Sequence, residues 1–249
     1  MLSRNKKWMS AMFMTLPCLL MVGNCYGEVS KPDSTVKIVA SMLKAYGGAE
    51  AVRKVVSVTA KGRIVEPLNG NEGSYARFLE RHGKLLIEIM PERGGEIRVL
   101  NGDRGWQGGR DGFILASPLQ LQSMRYQYSY LDLPMKLSDK DLTISCGGTQ
   151  LHNGRKVFLL MIDLKNVPRL NILVDAKTFL IVRVAASFAM GMGSSTSELS
   201  TEYSDYRVVG GVLFPFRLIN SAGAMKLSEI VLDEIAVNRK ISANLFTPL

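Results

Sequence analysis

The residue types that most often perform catalysis are sparse in this chain of 249 residues. The two histidines, His82 and His152, each stand at a glycine-containing turn sequence, where a histidine is usually solvated and idle. The three cysteines lack the spacing of a zinc site. Ser41-Met42-Leu43-Lys44 matches the Ser-x-x-Lys pattern of acyl-transfer enzymes, but the Ser-Asp-Asn and Lys-Thr-Gly motifs that accompany it are absent. We therefore expect a protein without catalytic residues, metal or cofactor.

Adaptable apolar side chains are the more informative feature. Residues 118–133 carry apolar groups at steps of three, four and three, which predicts one face of a helix. Ser117-Pro118 suits the start of this helix and Pro134 its end. Methionine fits irregular apolar shapes, and tyrosine has one apolar and one polar end. We therefore predict an apolar ligand cavity to which five residues contribute: Trp106, Leu121, Met124, Tyr128 and Leu131.

Three tyrosines of the same segment bear on this cavity. Tyr126, Tyr128 and Tyr130 are spaced two residues apart, so successive side chains diverge by roughly 200° around a helix. The three cannot share one face. We therefore expect some of them to be solvated or to line the rim of a cavity.

The N-terminal segment indicates export. A basic start is followed by fifteen uncharged residues, Trp8 to Val22. This run is shorter than the roughly 20 residues that a membrane-spanning helix needs, and small residues follow it, as at a signal-peptide cleavage site. We predict a signal peptide at residues 1–27 and one domain at residues 28–249.

Cys25 leaves an alternative open, in which the chain is cleaved before this cysteine and becomes lipidated. Val22-Gly23-Asn24-Cys25 is a poor lipobox, because a residue smaller than Asn24 usually precedes the cysteine. Removal of the signal peptide leaves 28 basic and 22 acidic residues, a net charge of +6. These charges are spread along the chain rather than clustered, and the chain is exported, so we expect no nucleic-acid partner.

The rest of the chain predicts two helical segments and a long meander. The first helix is expected to begin near Asp33 or Ser34 and to end at Gly47-Gly48. Its apolar stripe is expected at Val36, Val39, Ala40 and Leu43. About eleven short β-rich runs, separated by Gly, Pro and Asn, are typical of antiparallel strands: 57–65, 74–81, 84–90, 96–100, 142–146, 156–164, 170–174, 179–188, 198–209, 212–220 and 225–237. We predict a mainly β (α+β) fold, a strongly curved sheet covered by short helices.

Several short segments, in order behind the signal peptide, carry a family resemblance. They are Ala45–Arg53, Leu100–Trp106, Glu202–Pro215, Ala236–Asn238 and Leu245-Phe246. Together they resemble the LolA/LolB-like superfamily, in its branch of outer membrane lipoprotein-sorting proteins. The resemblance covers nearly all of residues 35–249.

The resemblance implies an incomplete antiparallel β-barrel lidded by helices, with an apolar cavity for acyl chains. It implies a monomeric periplasmic carrier or binding protein for a lipid or lipidated cargo, such as lipoprotein acyl chains, in transport toward the outer membrane. Inner- or outer-membrane proteins are further expected partners. The family's lipoprotein carrier closes its lid with an arginine, for which Arg77, Arg81 and Arg98 are candidates by position.

Two alternatives remain open at this stage. The first is a periplasmic sensor or interaction module that binds a signalling or envelope protein. The second is a hydrolase that acts on envelope glycolipids, which acidic residues converging in a polar cleft would favour.

Overall fold

An antiparallel sheet of thirteen strands organises the computed structural model, which describes residues 32–68, 70–91, 94–109, 112–139, 142–189 and 196–248. The predicted signal peptide and Cys25 lie outside the described residues. Within them, no helix combines the length and the hydrophobicity needed to cross a lipid bilayer.

The helices are α1 (Pro32–Ala45), α2 (Ala49–Arg53), α3 (Pro118–Lys136) and a final 3₁₀ helix (Ala243–Phe246). The first six strands are β1 (Ser57–Glu66), β2 (Asn71–Glu80), β3 (Lys84–Pro91), β4 (Glu96–Asn101), β5 (Arg104–Gly109) and β6 (Gly112–Leu115). The other seven are β7 (Ile144–His152), β8 (Arg155–Leu164), β9 (Val167–Asp175), β10 (Ile181–Ala189), β11 (Thr196–Val209), β12 (Val212–Ala222) and β13 (Met225–Val237).

The strand order explains why a helix lies inside the sheet. The order is β6-β5-β4-β3-β2-β1-β13-β12-β11-β10-β9-β8-β7, so each strand pairs with its neighbour in sequence except at the β1–β13 pair. The two edge strands, β6 and β7, are therefore consecutive in the chain, and α3 is the connection between them. A helix that joins the two edges of a curved sheet has to cross its open side. The sheet is an incomplete barrel, as predicted, with α3 across the opening.

The strand count exceeds the prediction by two. Residues 104–115, left unassigned from the sequence, form β5 and β6 at one edge. Four glycines in this segment weaken its intrinsic β preference. In the sheet, Val99 pairs with Trp106, and Trp106 pairs with Leu115. These cross-strand pairs stabilise the segment as strands despite its glycines.

The first helix exists as predicted, but its buried stripe was wrong. Val36 is 70% exposed and Ala40 is also exposed, whereas Ile38, Met42 and Tyr46 are buried. These three residues also recur at a spacing of four, so the sequence permits both stripes, and contact with β7 selects the second. Val39 and Leu43 lie at the boundary between the two faces.

The end of α1 at Gly47-Gly48 is confirmed. Both glycines have positive φ, 117° and 99°. A Cβ at Gly47 would stand 2.1 Å from the carbonyl oxygen of Gly211, so the turn contacts the β11–β12 hairpin directly. The amide of Leu213 donates to the Tyr46 carbonyl at 3.1 Å, which fixes this contact.

Helix α3 begins where predicted and ends later than predicted. Ser117 forms a capping box, in which its hydroxyl accepts from the Gln120 amide and its own amide donates to the Gln120 side chain. The helix continues through Pro134 to Lys136. Proline lacks the N–H that would bond to the Tyr130 carbonyl, and the Tyr203 hydroxyl donates to that carbonyl instead, at 3.2 Å.

This replacement of a backbone donor by a side chain is testable. Tyr203→Phe should lower the free energy of unfolding by about 1–2 kcal/mol, because it leaves a buried carbonyl without a donor. In a Pro134→Ala background the restored N–H can bond to Tyr130, so the same change should cost less than half as much. Urea unfolding of the four proteins measures the difference. Equal costs in both backgrounds would show that the Tyr203 hydroxyl does not serve the helix.

A second, smaller apolar cluster covers the other face of the sheet. Leu86, Val99 and Phe246 form its buried centre, with Trp106 packed against it. The 3₁₀ helix at the C-terminus contributes Phe246, whose carbonyl accepts from the Asn101 side chain at 3.2 Å. The two clusters divide the strand residues by alternation, with one parity facing α3 and the other facing outward.

Candidate functional site

A cavity of about 490 Å³ lies between α3 and the strands. Its lining mixes apolar and polar side chains. The apolar side chains include Ile64, Ile89, Met124, Leu227 and Ile230. The polar side chains include Glu96, Arg98, Gln107, Gln120 and Gln127. Such a space suits a ligand that has an apolar and a polar part.

A chain of hydrogen bonds joins polar residues of the cavity lining to the start of α3. Arg98 donates twice to Glu96, with Nε–Oε1 at 2.7 Å, and Gln107 donates to the same carboxylate at 2.8 Å. Gln107 in turn accepts from Gln120 at 2.6 Å, and Gln120 belongs to the capping box of Ser117. The entry of α3 is therefore fixed to the cavity wall.

Two carboxylates line this cavity. Glu96 is held by Arg98 in a bidentate pair. Glu66 lies among the lining residues as well, with no ion pair among the described residues. Within the described part of the chain, no group of three His, Cys, Asp or Glu side chains could hold a metal ion.

The tyrosines of α3 were expected to be solvated or to line a cavity, and they line cavities: Tyr126 and Tyr130 border the space just described, and Tyr128 borders a second cleft. Tyr126, Tyr128 and Tyr130 are all buried, because the second half of α3 is surrounded by protein on every side. Tyr126 packs edge-on against Tyr130, with ring centroids 5.1 Å apart, and donates to the Leu199 carbonyl at 3.0 Å. Burial raises the pKa of each phenol, so all three are neutral at physiological pH.

A second cleft, of about 360 Å³, lies at the other end of α3. Here Arg81, directly after β2, reaches two carboxylates of the helix region. Its Nη2 donates to Asp139 at 2.6 Å, and its Nε lies 3.5 Å from the Asp132 carboxylate. The Arg81 and Asp132 side chains are 9% and 2% exposed, so the pair is buried. Arg81 thereby anchors the C-terminal half of α3 to the sheet.

The buried position of Asp132 disfavours its ionised form. Its Oδ1 has no hydrogen-bond partner among the described residues, and burial raises its pKa to about 6, against the opposing effects of Arg81 and Lys136. Asp139 adds to the rise, and the nearby Tyr128 hydroxyl donates to Oδ2 at 3.3 Å, which opposes it. The neutral acid is favoured in this environment.

The raised pKa predicts a pH-dependent stability. Because the folded-state value exceeds that of the unfolded chain, the folded protein binds more protons between about pH 4 and 6. The free energy of unfolding should therefore fall by about 1–3 kcal/mol from this group as the pH rises through that window. Asp132→Asn should remove this component. Urea unfolding from pH 4 to 7.5 tests it, and parallel curves for the two proteins would contradict it.

This chain is similar to known proteins in its structure. No protein-family model matches the chain, and no curated protein sequence matches it. A LolA superfamily protein from Nitrosomonas europaea aligns with a TM-score of 0.54 at 15% identity, covering 83% of this chain and 96% of that one. A domain described as outer membrane lipoprotein-sorting, from Vibrio parahaemolyticus, aligns at 0.53 and 12% identity, covering 85% and 95%. This chain has a LolA-like fold.

A third structure extends the similarity. A DUF1329 family protein from Desulfovibrio piger aligns with a TM-score of 0.54 at 11% identity, covering 85% of this chain and 96% of that one. The LolA-like fold is thus shared almost end to end with proteins that have little sequence in common with this chain. At such identities the likeness establishes the architecture.

The structure distributes the five predicted lining residues among several places in the LolA-like fold. Met124 lines the large cavity, and Tyr128 lines the second cleft. Leu131 lines a small enclosed pocket, and Leu121 packs beside Gly105 in the main core. Trp106 lies on the outward face of the sheet, because it pairs with Val99 of the second cluster. Their roles in ligand binding stay predictions.

The arginine candidates are separated by their contacts. Arg81 pairs with the α3 region, Arg98 pairs with Glu96 in the cavity wall, and Arg77 is buried on β2. The polar wall formed by Gln107, Gln120 and Gln127 was missed, since a glutamine gives no signal in the sequence about which way it faces. Alternation along β2 could have placed Arg77 inside, as it shares the parity of Tyr75 and Leu79.

Proposed function

We propose that this protein is a periplasmic carrier or binding protein for an amphipathic lipid or for the acyl chains of a lipidated cargo. The observation that carries the proposal is the mixed apolar and polar lining of the cavity of about 490 Å³ between α3 and the strands. Each methylene group moved from water against its apolar side chains contributes about 0.8 kcal/mol. Its polar side chains can form hydrogen bonds with a head group.

The position of α3 supports a role in ligand entry. The helix covers the open side of the sheet, and its ends are fixed by two polar arrangements, the Ser117 cap with its glutamine chain and the Arg81 ion pairs. The hydrogen bonds at the Ser117 end can be exchanged for water when the helix moves, whereas the buried Arg81–Asp132 pair holds the other end. We propose that α3 is the element that admits the ligand.

The proposal also covers the location of the protein and its mode of action. The LolA-like fold and the predicted signal peptide at residues 1–27 both fit a periplasmic location. We propose that the protein acts by binding and release, possessing no catalytic step, and that it moves cargo toward the outer membrane as a monomer.

Native mass spectrometry tests the proposal directly. The full chain, expressed with its leader and purified from the periplasm, should carry lipid at one molecule per protein, and extraction should identify it. A ligand-free mass that takes up no added phospholipid, fatty acid or lipopeptide would overturn the proposal. The same spectrum shows whether the exported chain starts at Glu28 or at a lipidated Cys25.

An interaction module remains a second candidate because of one edge of the sheet. Strand β6 is an edge strand, and its residues Ile114 and Leu115 are 68% and 67% exposed, beside Leu119 at 57%. Exposed apolar edge strands can pair with a strand from another protein. If this is the function, Ile114→Lys with Leu115→Lys should abolish partner binding and leave lipid uptake unchanged.

A further inference from the structure

A buried arginine without a counter-charge lies next to the cavity. Arg77 is 3% exposed, and its Nε has no hydrogen-bond partner. Among the described residues it takes part in no ion pair, whereas Arg81 and Arg98 each have a carboxylate. Glu96, an acid of the cavity wall, already accepts two hydrogen bonds from Arg98 and one from Gln107.

The groups around Arg77 are phenols. It lines a small pocket of about 20 Å³ together with Tyr46, Tyr130, Tyr203 and Tyr206. Burial raises the pKa of Tyr46 to about 12 and those of the other three above their usual value, so none supplies a negative charge. The phenols around Arg77 are therefore polar but provide no negative charge.

Such an arrangement is unfavourable for folding alone. A guanidinium group keeps its proton throughout the physiological pH range, so it cannot relieve its burial by becoming neutral. An unpaired buried charge destabilises the folded state. Groups held at the expense of stability are characteristic of binding sites.

One side chain separates this pocket from the cavity. Tyr130 lines both spaces, and its hydroxyl is hydrogen bonded to Gln127 and Thr201, which line the cavity. The pocket has room for about one water molecule. Access to Arg77 from the cavity therefore requires displacement of the Tyr130 ring, which α3 carries.

We propose that Arg77 binds the anionic oxygen group, carboxylate or phosphate, of the ligand whose apolar chain occupies the cavity. This inference rests on the proposed function and adds the class of ligand: an acidic amphiphile rather than a neutral one. The planar fork of a guanidinium matches two oxygens of either group. The ligand supplies the counter-charge that the described residues do not.

Four probes test the proposal by isothermal titration calorimetry at pH 8: oleate, oleoyl lysophosphatidic acid, oleyl alcohol and inorganic phosphate. Wild type should bind at least one of the two acidic lipids roughly tenfold or more tightly than oleyl alcohol. Arg77→Met should lose that preference and keep its affinity for oleyl alcohol. Arg169→Met is the matched control, because Arg169 forms an exposed ion pair with Asp163 and has no proposed role in binding. This variant should behave as wild type.

Thermal unfolding separates a binding role from a structural one. Without ligand, Arg77→Met should melt at the same temperature as wild type or higher, since it removes an unpaired buried charge. A lower melting temperature together with equal loss of all lipid probes would assign Arg77 to the structure and overturn the inference.

The outcomes distinguish the inference from the function on which it rests. Equal binding of oleate and oleyl alcohol by wild type would overturn the inference and leave the lipid carrier intact. Binding of no lipid at all would overturn both. In a further outcome, inorganic phosphate binds with the affinity of the acidic lipids and loses that binding in Arg77→Met. This result would assign the site to a free anion and overturn the inference of an acidic amphiphile.

Discussion

Ser123→Trp should weaken the binding of an acyl-chain probe by roughly thirtyfold. Ser123 is half-buried on the face of α3 that lines the large cavity. An indole ring there occupies space that two or three methylene groups of a ligand would fill, each of which contributes about 0.8 kcal/mol, for a total of about 2 kcal/mol. Displacement of a fluorescent fatty acid by unlabelled lipid measures the change.

The neighbouring residue provides a matched control for this substitution. Gln122→Trp adds the same ring to the same helix, but Gln122 is not among the residues that line the cavity. Serine and tryptophan have similar helix propensities, and replacing glutamine by tryptophan costs only about 0.5 kcal/mol, so α3 should persist in both variants. Equal affinities for wild type, Ser123→Trp and Gln122→Trp would show that the ligand does not occupy this cavity.

Arg81→Met should lower the free energy of unfolding at pH 7.5 by about 3–5 kcal/mol. The substitution removes the cation from two carboxylates at once and leaves Asp132, with its 2% exposed side chain, as an unpaired buried charge. The methionine retains most of the apolar stem, so the loss reports the charge rather than the packing. Guanidinium unfolding monitored by circular dichroism gives the value.

A second substitution separates the two carboxylates. Arg81→Met combined with Asp132→Asn should recover at least half of the lost stability, because the buried group that needed a cation is now neutral. Asp139 is 37% exposed and can be solvated, so its loss of Arg81 should matter less. A double variant no more stable than Arg81→Met would place the effect on Asp139 instead.

The fold was largely predictable because its connections are local. Hairpin turns such as Asn153-Gly154 and Gly210-Gly211 adopt the positive φ values that their sequences favour. Twelve strand pairs form the sheet, and β1–β13 is the one that joins distant parts of the chain. Turn chemistry and alternation therefore determine most of the sheet before any long-range contact is considered.

The errors came from contacts that no local pattern contains. Proline within a helix normally ends it, but Tyr203, which is 73 residues from Tyr130, supplies the donor that Pro134 lacks. Strands β5 and β6 depend on a neighbouring strand to offset their glycines. In each case the deciding partner is distant in sequence.

The candidate site was harder to predict for a related reason. An amphipathic helix is expected to present one stripe to a core, and four of the five lining residues were chosen on that basis: Leu121, Met124, Tyr128 and Leu131. Because α3 crosses the open side of the sheet, residues on all sides of its second half are buried, so one helix borders three separate spaces. Which space a residue reaches depends on the topology, which the period of the helix does not encode.

The crossing helix also acts as a strut. Its 19 residues rise roughly 1.5 Å each, about 28 Å in total, and an α-helix does not shorten under lateral load as a loop does. A connection of this length and stiffness keeps β6 and β7 from pairing with each other while the helix is in place. The opening of the barrel is thus a property of the connection between its two edges rather than of the strands themselves.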